Sequence, residues 1–286
     1  MLTQHVEFAA DRSRRVFSDS LLSVNNKIPC ILVMKKIIRI FAIVLIITIL
    51  AVILVLVRED RLNITLYPGT VEGEGKTLVV LLPTVAGNGK LYEQQGLIDI
   101  IRKHGAVVDI MSIDVQPTLY VKKRIVKKLK TRVIDPAKAR GYEHIYLLGT
   151  SLGGHAALLY AMEYPRDIEG LFLFSPYISD PFVTKIITKE GGLQTWDVCP
   201  PYAWEYSCKL WKSIRTYVSD PERRASVFLG YGTEDRFVES CHLLAKVLPP
   251  ENVFTTSGGH SWKTWHKLWE KMLNHLKITK PPFSHR

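Results

Sequence analysis

At 286 residues the chain exceeds one average domain but stays within the size a single α/β core reaches, so length favours one main domain with appendages. Hydrophobic residues at 47% and charged residues at 23% exclude both a disordered chain and a multi-span membrane protein. A net charge of +11 raises nucleic acid as a partner, but no zinc-ligand spacing, RNP-like run or basic zipper accompanies it, and no nucleic acid is expected.

In chain order, residues 1–36 read as a cytoplasmic tail, or as an over-extended start, because Met34-Lys35-Lys36 runs straight into an apolar stretch as bacterial signal anchors begin. Ile40 to Val57 contains Thr48 as its one polar residue, and a span of residues 37–57 matches the roughly 20 helical residues that cross a bilayer. No small-residue cleavage site follows, since Leu56-Val57 leads into Arg58-Glu59-Asp60-Arg61. The expectation is one uncleaved transmembrane signal anchor. Lys35, Lys36 and Arg39, ahead of the apolar run from Ile40, predict a cytoplasmic amino terminus and an exported domain, periplasmic if the source is bacterial.

Residues 58–76 form a linker with room for one edge strand, and residues 77–286 form the main domain. From Thr77 onward, short apolar runs alternate with longer amphipathic segments, the pattern of βα units around a mostly parallel sheet. Strands are predicted at Leu78–Leu82, Val107–Ile113, His144–Leu148, Leu171–Phe174, Ser226–Tyr231 and Val253–Thr256, and helices near Leu91–His104, Leu119–Lys130, Gly154–Glu163, Glu239–Val247 and Ser261–Lys277. The basic segment from Val121 to Lys130 places Val121, Ile125 and Leu129 on one face, which suits an outer helix docked on the sheet and also suits contact with anionic lipid.

Residues 176–225 interrupt the alternation with five prolines and with Trp196, Trp204 and Trp211, and read as a cap insertion. Its aromatic residues fit either an acyl pocket or the core of the cap. Cys30, Cys199, Cys208 and Cys241 include no C-x-x-C pair; in an exported domain a Cys199–Cys208 disulfide is allowed, and reduced core thiols are the alternative.

His144–Leu148 leads into Gly149-Thr150-Ser151-Leu152-Gly153-Gly154 and then Ala156-Ala157-Leu158-Leu159, so G-x-S-x-G stands in the strand–turn–helix context that gives the motif meaning. A strained turn needs small residues two before and two after the serine, which Gly149 and Gly153 supply. Ser151 then sits at a helix N-terminus, where the Leu152 N–H can bind an oxyanion; the second donor is expected from Val85 or Thr84, in the loop Pro83 to Asn88. A serine hydroxyl needs a base, and the base needs a third group to fix its tautomer. Gly232-Thr233-Glu234-Asp235 follows one strand and Ser257-Gly258-Gly259-His260 the last, which offers His260 as base and Asp235 as acid, with Glu234 as the rival acid. His155 reads as a structural histidine, and Trp262, Trp265 and Trp269 as a core stripe.

The motifs GTSLGG, GTEDRFV and GGHSWKTW resemble the α/β-hydrolase superfamily, and among its members the esterase-D-like serine carboxylesterases. The resemblance implies an α/β-hydrolase sheet flanked by helices, ester hydrolysis by Ser151, Asp235 and His260, and no cofactor or metal. The expected partners are a small-molecule or lipid ester and, through the apolar amino-terminal segment, the membrane. Acyl transfer by the same three residues, and a catalytically silent tethered scaffold, are the alternatives. LLPTVAG after the first core strand departs from the His-Gly pair of many members, and the linker is short for two leading strands.

Overall fold

The computed structural model describes residues 34–50, 62–69, 76–84, 89–105, 108–115, 119, 124–199 and 205–279. The chain divides between Arg61 and Leu62 into two units. In the first, residues 34–50 are helical and solvent-exposed throughout, including Ile40, Phe41, Leu45 and Leu50. Among the described residues no helix is long and apolar enough to cross a membrane. Residues 51–57 of the predicted span lie outside the described residues, as do residues 1–33.

The second unit is a seven-stranded sheet in the order β1-β3-β2-β4-β5-β6-β7. The strands are β1 (Ile64–Tyr67), β2 (Lys76–Leu82), β3 (Asp109–Ile113), β4 (Tyr142–Thr150), β5 (Gly170–Phe174), β6 (Val227–Gly232) and β7 (Val253–Thr256). All neighbours pair in parallel except β1, which runs antiparallel to β3 at the edge and supplies the one strand foreseen in the linker. Six of the seven residues of β2 are buried, as a strand covered on both faces requires. Side-chain alternation splits the core in two. Leu78, Val80 and Leu82 face one cluster with Leu147 and Leu173, while Val79 and Leu81 face another with Phe172, Phe174 and Trp269.

The helices follow from the same logic. Gly96, at φ 72°, breaks the segment predicted as one helix into α1 (Leu91–Gln94) and α2 (Leu97–Lys103). The basic segment is helical in α3 (Ile125–Leu129), passes through a π-helical turn at Lys130–Ile134, and ends in α4 (Asp135–Ala139). Of the expected apolar face, Ile125 and Leu129 are buried and Val121 lies outside the described residues; Val126 is buried as well, and Lys130 joins Lys138 in pairing with Asp167. After α5 (Leu152–Glu163) the insertion holds three helices that the sequence reading lacked: α6 (Pro181–Lys189), α7 (Glu205–Ser219) and α8 (Pro221–Ala225). Asp180 and Asp220 cap α6 and α8 through their carboxylates, each followed by Pro at the first helical position, so Pro181 and Pro221, two of the five prolines read as interruptions, are helix starts. The last helices are α9 (Val238–Ala245) and α10 (Trp262–Thr279).

Trp196, Trp211 and Tyr217 of the insertion are buried with Leu158 and Ile187, which decides for core packing over a pocket at these three positions. Tyr202 and Trp204 lie outside the described residues. Cys199 and Cys208 form a disulfide nine residues apart, and Cys241 is a buried free thiol. Closing so short a loop removes about 2–3 kcal/mol of unfolded-state entropy. The double variant Cys199→Ser, Cys208→Ser is therefore expected to unfold about 5–10 °C lower than the oxidised protein, measured by thermal melts.

Candidate active site

β4 ends at the centre of the sheet, and the chain order reverses between β2 and β4, the place where open α/β sheets leave a crevice at their carboxyl ends. Ser151 occupies the turn between β4 and α5 at φ 55° and ψ −115°, a conformation a side chain adopts only at a cost of order 1–3 kcal/mol. Three backbone bonds hold it there. Its N–H donates to the Phe174 carbonyl at 2.9 Å, and its own carbonyl accepts from the N–H groups of Tyr177 at 2.9 Å and His155 at 3.3 Å.

The flanking glycines are required by contact. A Cβ on Gly149 would lie 2.4 Å from the Gly153 carbonyl oxygen, and one on Gly153 would lie 1.9 Å from the carbonyl oxygen of Leu82. A Cβ on Gly154 would strike Pro176 at 2.7 Å. Leu152 opens α5, so its N–H is one of the donors a helix start leaves without an intrahelical partner. Thr84, half-buried, stands two residues beyond the end of β2, and Val85 lies outside the described residues.

The acid and base loops meet through another close approach. Gly232 at the end of β6 lies against Gly258, where an added Cβ would come 2.0 Å from the Gly258 carbonyl oxygen. The Glu234 N–H donates to that same oxygen at 3.1 Å, and the Thr233 N–H to Thr256 at 2.9 Å. His260 thereby reaches both partners: its Nε2 is 3.0 Å from Ser151 Oγ, and its Nδ1 lies 3.0 and 2.9 Å from the two Asp235 carboxylate oxygens. Asp235 is buried and Glu234 exposed, so the structure brings Asp235 and not Glu234 to the histidine. Burial alone would raise the Asp235 pKa, but bonds from His260 and the Phe237 N–H outweigh it and hold the carboxyl below its usual range. The His260 ring meets Phe237 and Trp265 edge to face, with centroids 5.0 Å away in each case.

In this arrangement a hydroxyl can pass its proton to an imidazole whose far nitrogen is fixed by an ionised carboxylate. Gly232, Gly258, Ser175 and the indole of Trp265 were not singled out for this site in the sequence. Of these, GYG and SGG at strand ends carried a detectable turn signal, whereas Ser175 carried none. His155 is buried in α5, where its Nε2 meets the Tyr206 hydroxyl at 2.9 Å. Burial pushes its pKa down to about 4. His266 has a buried Nε2 without a partner in the structure, and among the described residues no group of three His, Cys, Asp or Glu converges as a metal set.

Residues 119–276 match the model of the Esterase family, described as "Putative esterase". The chain belongs to this esterase family. It is a serine hydrolase of the class that acts on carboxylic esters. No curated protein matches the esterase by sequence. Among solved structures, the S-formylglutathione hydrolase FrmB from Staphylococcus aureus is 11% identical with a TM-score of 0.52, covering 76% of the esterase and 90% of its own chain. Est1E from Butyrivibrio proteoclasticus is 18% identical with a TM-score of 0.52, covering 77% and 95%. At such identity the likeness extends to the fold.

Two predictions follow from the geometry of the esterase. Asp235→Asn keeps the hydrogen-bonding shape but favours the wrong imidazole tautomer, so turnover is expected to fall by on the order of 10⁴, the size seen in the serine-protease triad. Glu234→Gln should leave kcat within a few-fold; kcat for both variants at matched thermal stability is the check. His155 has a folded pKa of about 4 against an ordinary value of 6.5, so the unfolded chain takes its proton first, and the stability this histidine permits is present above pH 6.5 and lost as pH falls toward 4. Wild type is expected to lose more unfolding free energy than His155→Gln over that window, by up to about 1.4 kcal/mol per pH unit, measured by denaturant titration.

Proposed function

We propose that this esterase cleaves a carboxylic ester through an acyl-serine intermediate while anchored to a membrane by its amino-terminal helix. Ser151 Oγ attacks the ester carbonyl as His260 Nε2 takes its proton, and Asp235 steadies the imidazolium through Nδ1. The Leu152 N–H, with an amide of Thr84 or Val85, binds the oxyanion. The alcohol leaves with the proton returned by His260, and water repeats the sequence to free the acid. The observation that carries this reading is the unbroken path from Ser151 Oγ through His260 to Asp235, with every step at 3.0 Å or less.

Anchoring is supported by the exposed apolar helix over residues 34–50, which in sequence continues apolar to Val57. Lys35, Lys36 and Arg39 favour an amino terminus on the cytoplasmic side and an exported esterase domain. A disulfide between Cys199 and Cys208 suits an oxidising compartment.

Both parts are tested by one labelling experiment on the full chain in cells. A fluorophosphonate probe should label wild type but not Ser151→Ala, and the labelled band should sediment with membranes and resist alkaline carbonate. Absence of labelling under conditions that label a control esterase would overturn the acyl-serine mechanism. A labelled band released by carbonate would overturn the anchor and leave the chemistry standing.

A further inference from the structure

On the side of the sheet that carries Leu229 and Tyr231, the edge strand β7 is left partly open. Leu229 pairs with Val253 and Tyr231 with Thr255, so Val253 and Thr255 point to the same side as the two buried residues of β6. Two short helices flank that side, α6 of nine residues and α9 of eight. The opposite side is covered by the 18 residues of α10, where Phe228 and Phe254 join the core that contains Trp269. Thr255 remains exposed, and a cavity of about 840 Å³ lies between α6, α9 and the strand. That volume is of the size that takes a small-molecule ligand.

Tyr231, Leu243, Leu248 and Val253 give the cavity an apolar floor, buried in all but Val253, which is half-buried. Its rim is cationic and exposed. Lys185 and Lys189 stand one turn apart on α6, and His242 and Lys246 one turn apart on α9 and its C-cap, so each helix turns two basic side chains toward one groove. None of the three lysines is in an ion pair among the described residues, in contrast to Lys130 and Lys138. Glu239 is the one carboxylate among the described lining residues, and Ser151, Asp235 and His260 are not part of the wall.

We propose that this cavity binds a long-chain carboxylate, with the alkyl chain on the apolar floor and the head group among Lys185, Lys189 and Lys246. Charge selects the sign of the head, because three ammonium groups face a single carboxylate and a second anion completes the balance. The floor selects the chain, because each methylene group removed from water strengthens binding roughly fourfold. The head is a carboxylate because an enzyme that acts on carboxylic esters releases carboxylic acids, so the ligand is of a class that its own reaction supplies. Binding here makes and breaks no covalent bond, and the site stands apart from the acyl-serine reading given under the proposed function.

The test uses the full chain in phosphatidylcholine nanodiscs and a hexadecanoate that carries a photoactivated diazirine, with the adducts mapped by peptide mass spectrometry. Adducts are expected between Lys185 and Lys189 or between Glu239 and Thr255. Excess dodecanoate should suppress them and an equal concentration of dodecanol should not. The triple variant Lys185→Ala, Lys189→Ala, Lys246→Ala is expected to lower labelling by on the order of tenfold, the effect of lost bonds to a charged head. Thr188→Trp, which fills the cavity from an exposed position on α6, should lower it as far by a steric route. All four positions are exposed, so both variants should keep the wild-type melting temperature and wild-type fluorophosphonate labelling of Ser151; if the triple variant fails to fold, Thr188→Trp decides alone. Adducts confined to the surroundings of Ser151, labelling unchanged in the variants, or dodecanol competing as well as dodecanoate would overturn the site. The two readings fail separately, since a chain that takes the diazirine adduct in the cavity but no fluorophosphonate loses only the acyl-serine mechanism, and the reverse result loses only the cavity.

Discussion

A backbone contact of van der Waals closeness between two strand ends governs this structure. β2 and β4 lie side by side at the centre of the sheet, and the turn that leaves β4 must pass the Leu82 and Pro83 carbonyls at the end of β2. Only a residue without Cβ fits at position 153, which fixes how sharply the chain turns and therefore the positive φ of Ser151. That turn lifts the hydroxyl out of the sheet and starts α5 directly beneath it. Strain at one residue is thereby exchanged for a hydroxyl and a helix amide that share one small space.

The second constraint works at a distance from the first in sequence. Gly232 and Gly258 let the loops after β6 and β7 touch, so that an acid and a histidine 25 residues apart meet at hydrogen-bond distance. Parallel strands make this possible because every strand end after β5 opens on the same edge of the sheet. Around the meeting point the aromatic side chains of Phe237 and Trp265 close on the imidazole from two sides. The Asp235 carboxylate is fully buried beside them, and the N–H donors of His260 and Phe237 outweigh the cost of placing a charge there.

The insertion between β5 and β6 shows how packing assigns composition to structure. There α6 contributes Ile187, the segment after it Trp196, and α7 Trp211 and Ile214 to the same core as α5, and the disulfide ties the start of α7 to the preceding loop. Lys130 and Lys138 spend their charge on Asp167, so part of the basic balance is internal pairing and not an unpaired surface field.

What the sequence determined by itself was whatever depends on neighbours along the chain. Strand periodicity, the G-x-S-x-G turn and the order serine, acid, histidine are local patterns, and six strands and the three side chains of the site stand where those patterns put them. Local patterns also held the Asp-Pro caps of α6 and α8, which were legible but were read as interruptions. The tertiary structure alone decided what depends on residues far apart in the chain. It chose Asp235 over Glu234 because one of two adjacent carboxylates points inward beside a loop that arrives 25 residues later. It paired Cys199 with Cys208, and it brought the indole of Trp265 to the hydroxyl of Ser175, 90 residues away in the chain. A serine just past a buried strand carries no periodicity and no turn signature, so the indole that meets its hydroxyl is decided only when the fold brings α10 against the end of β5.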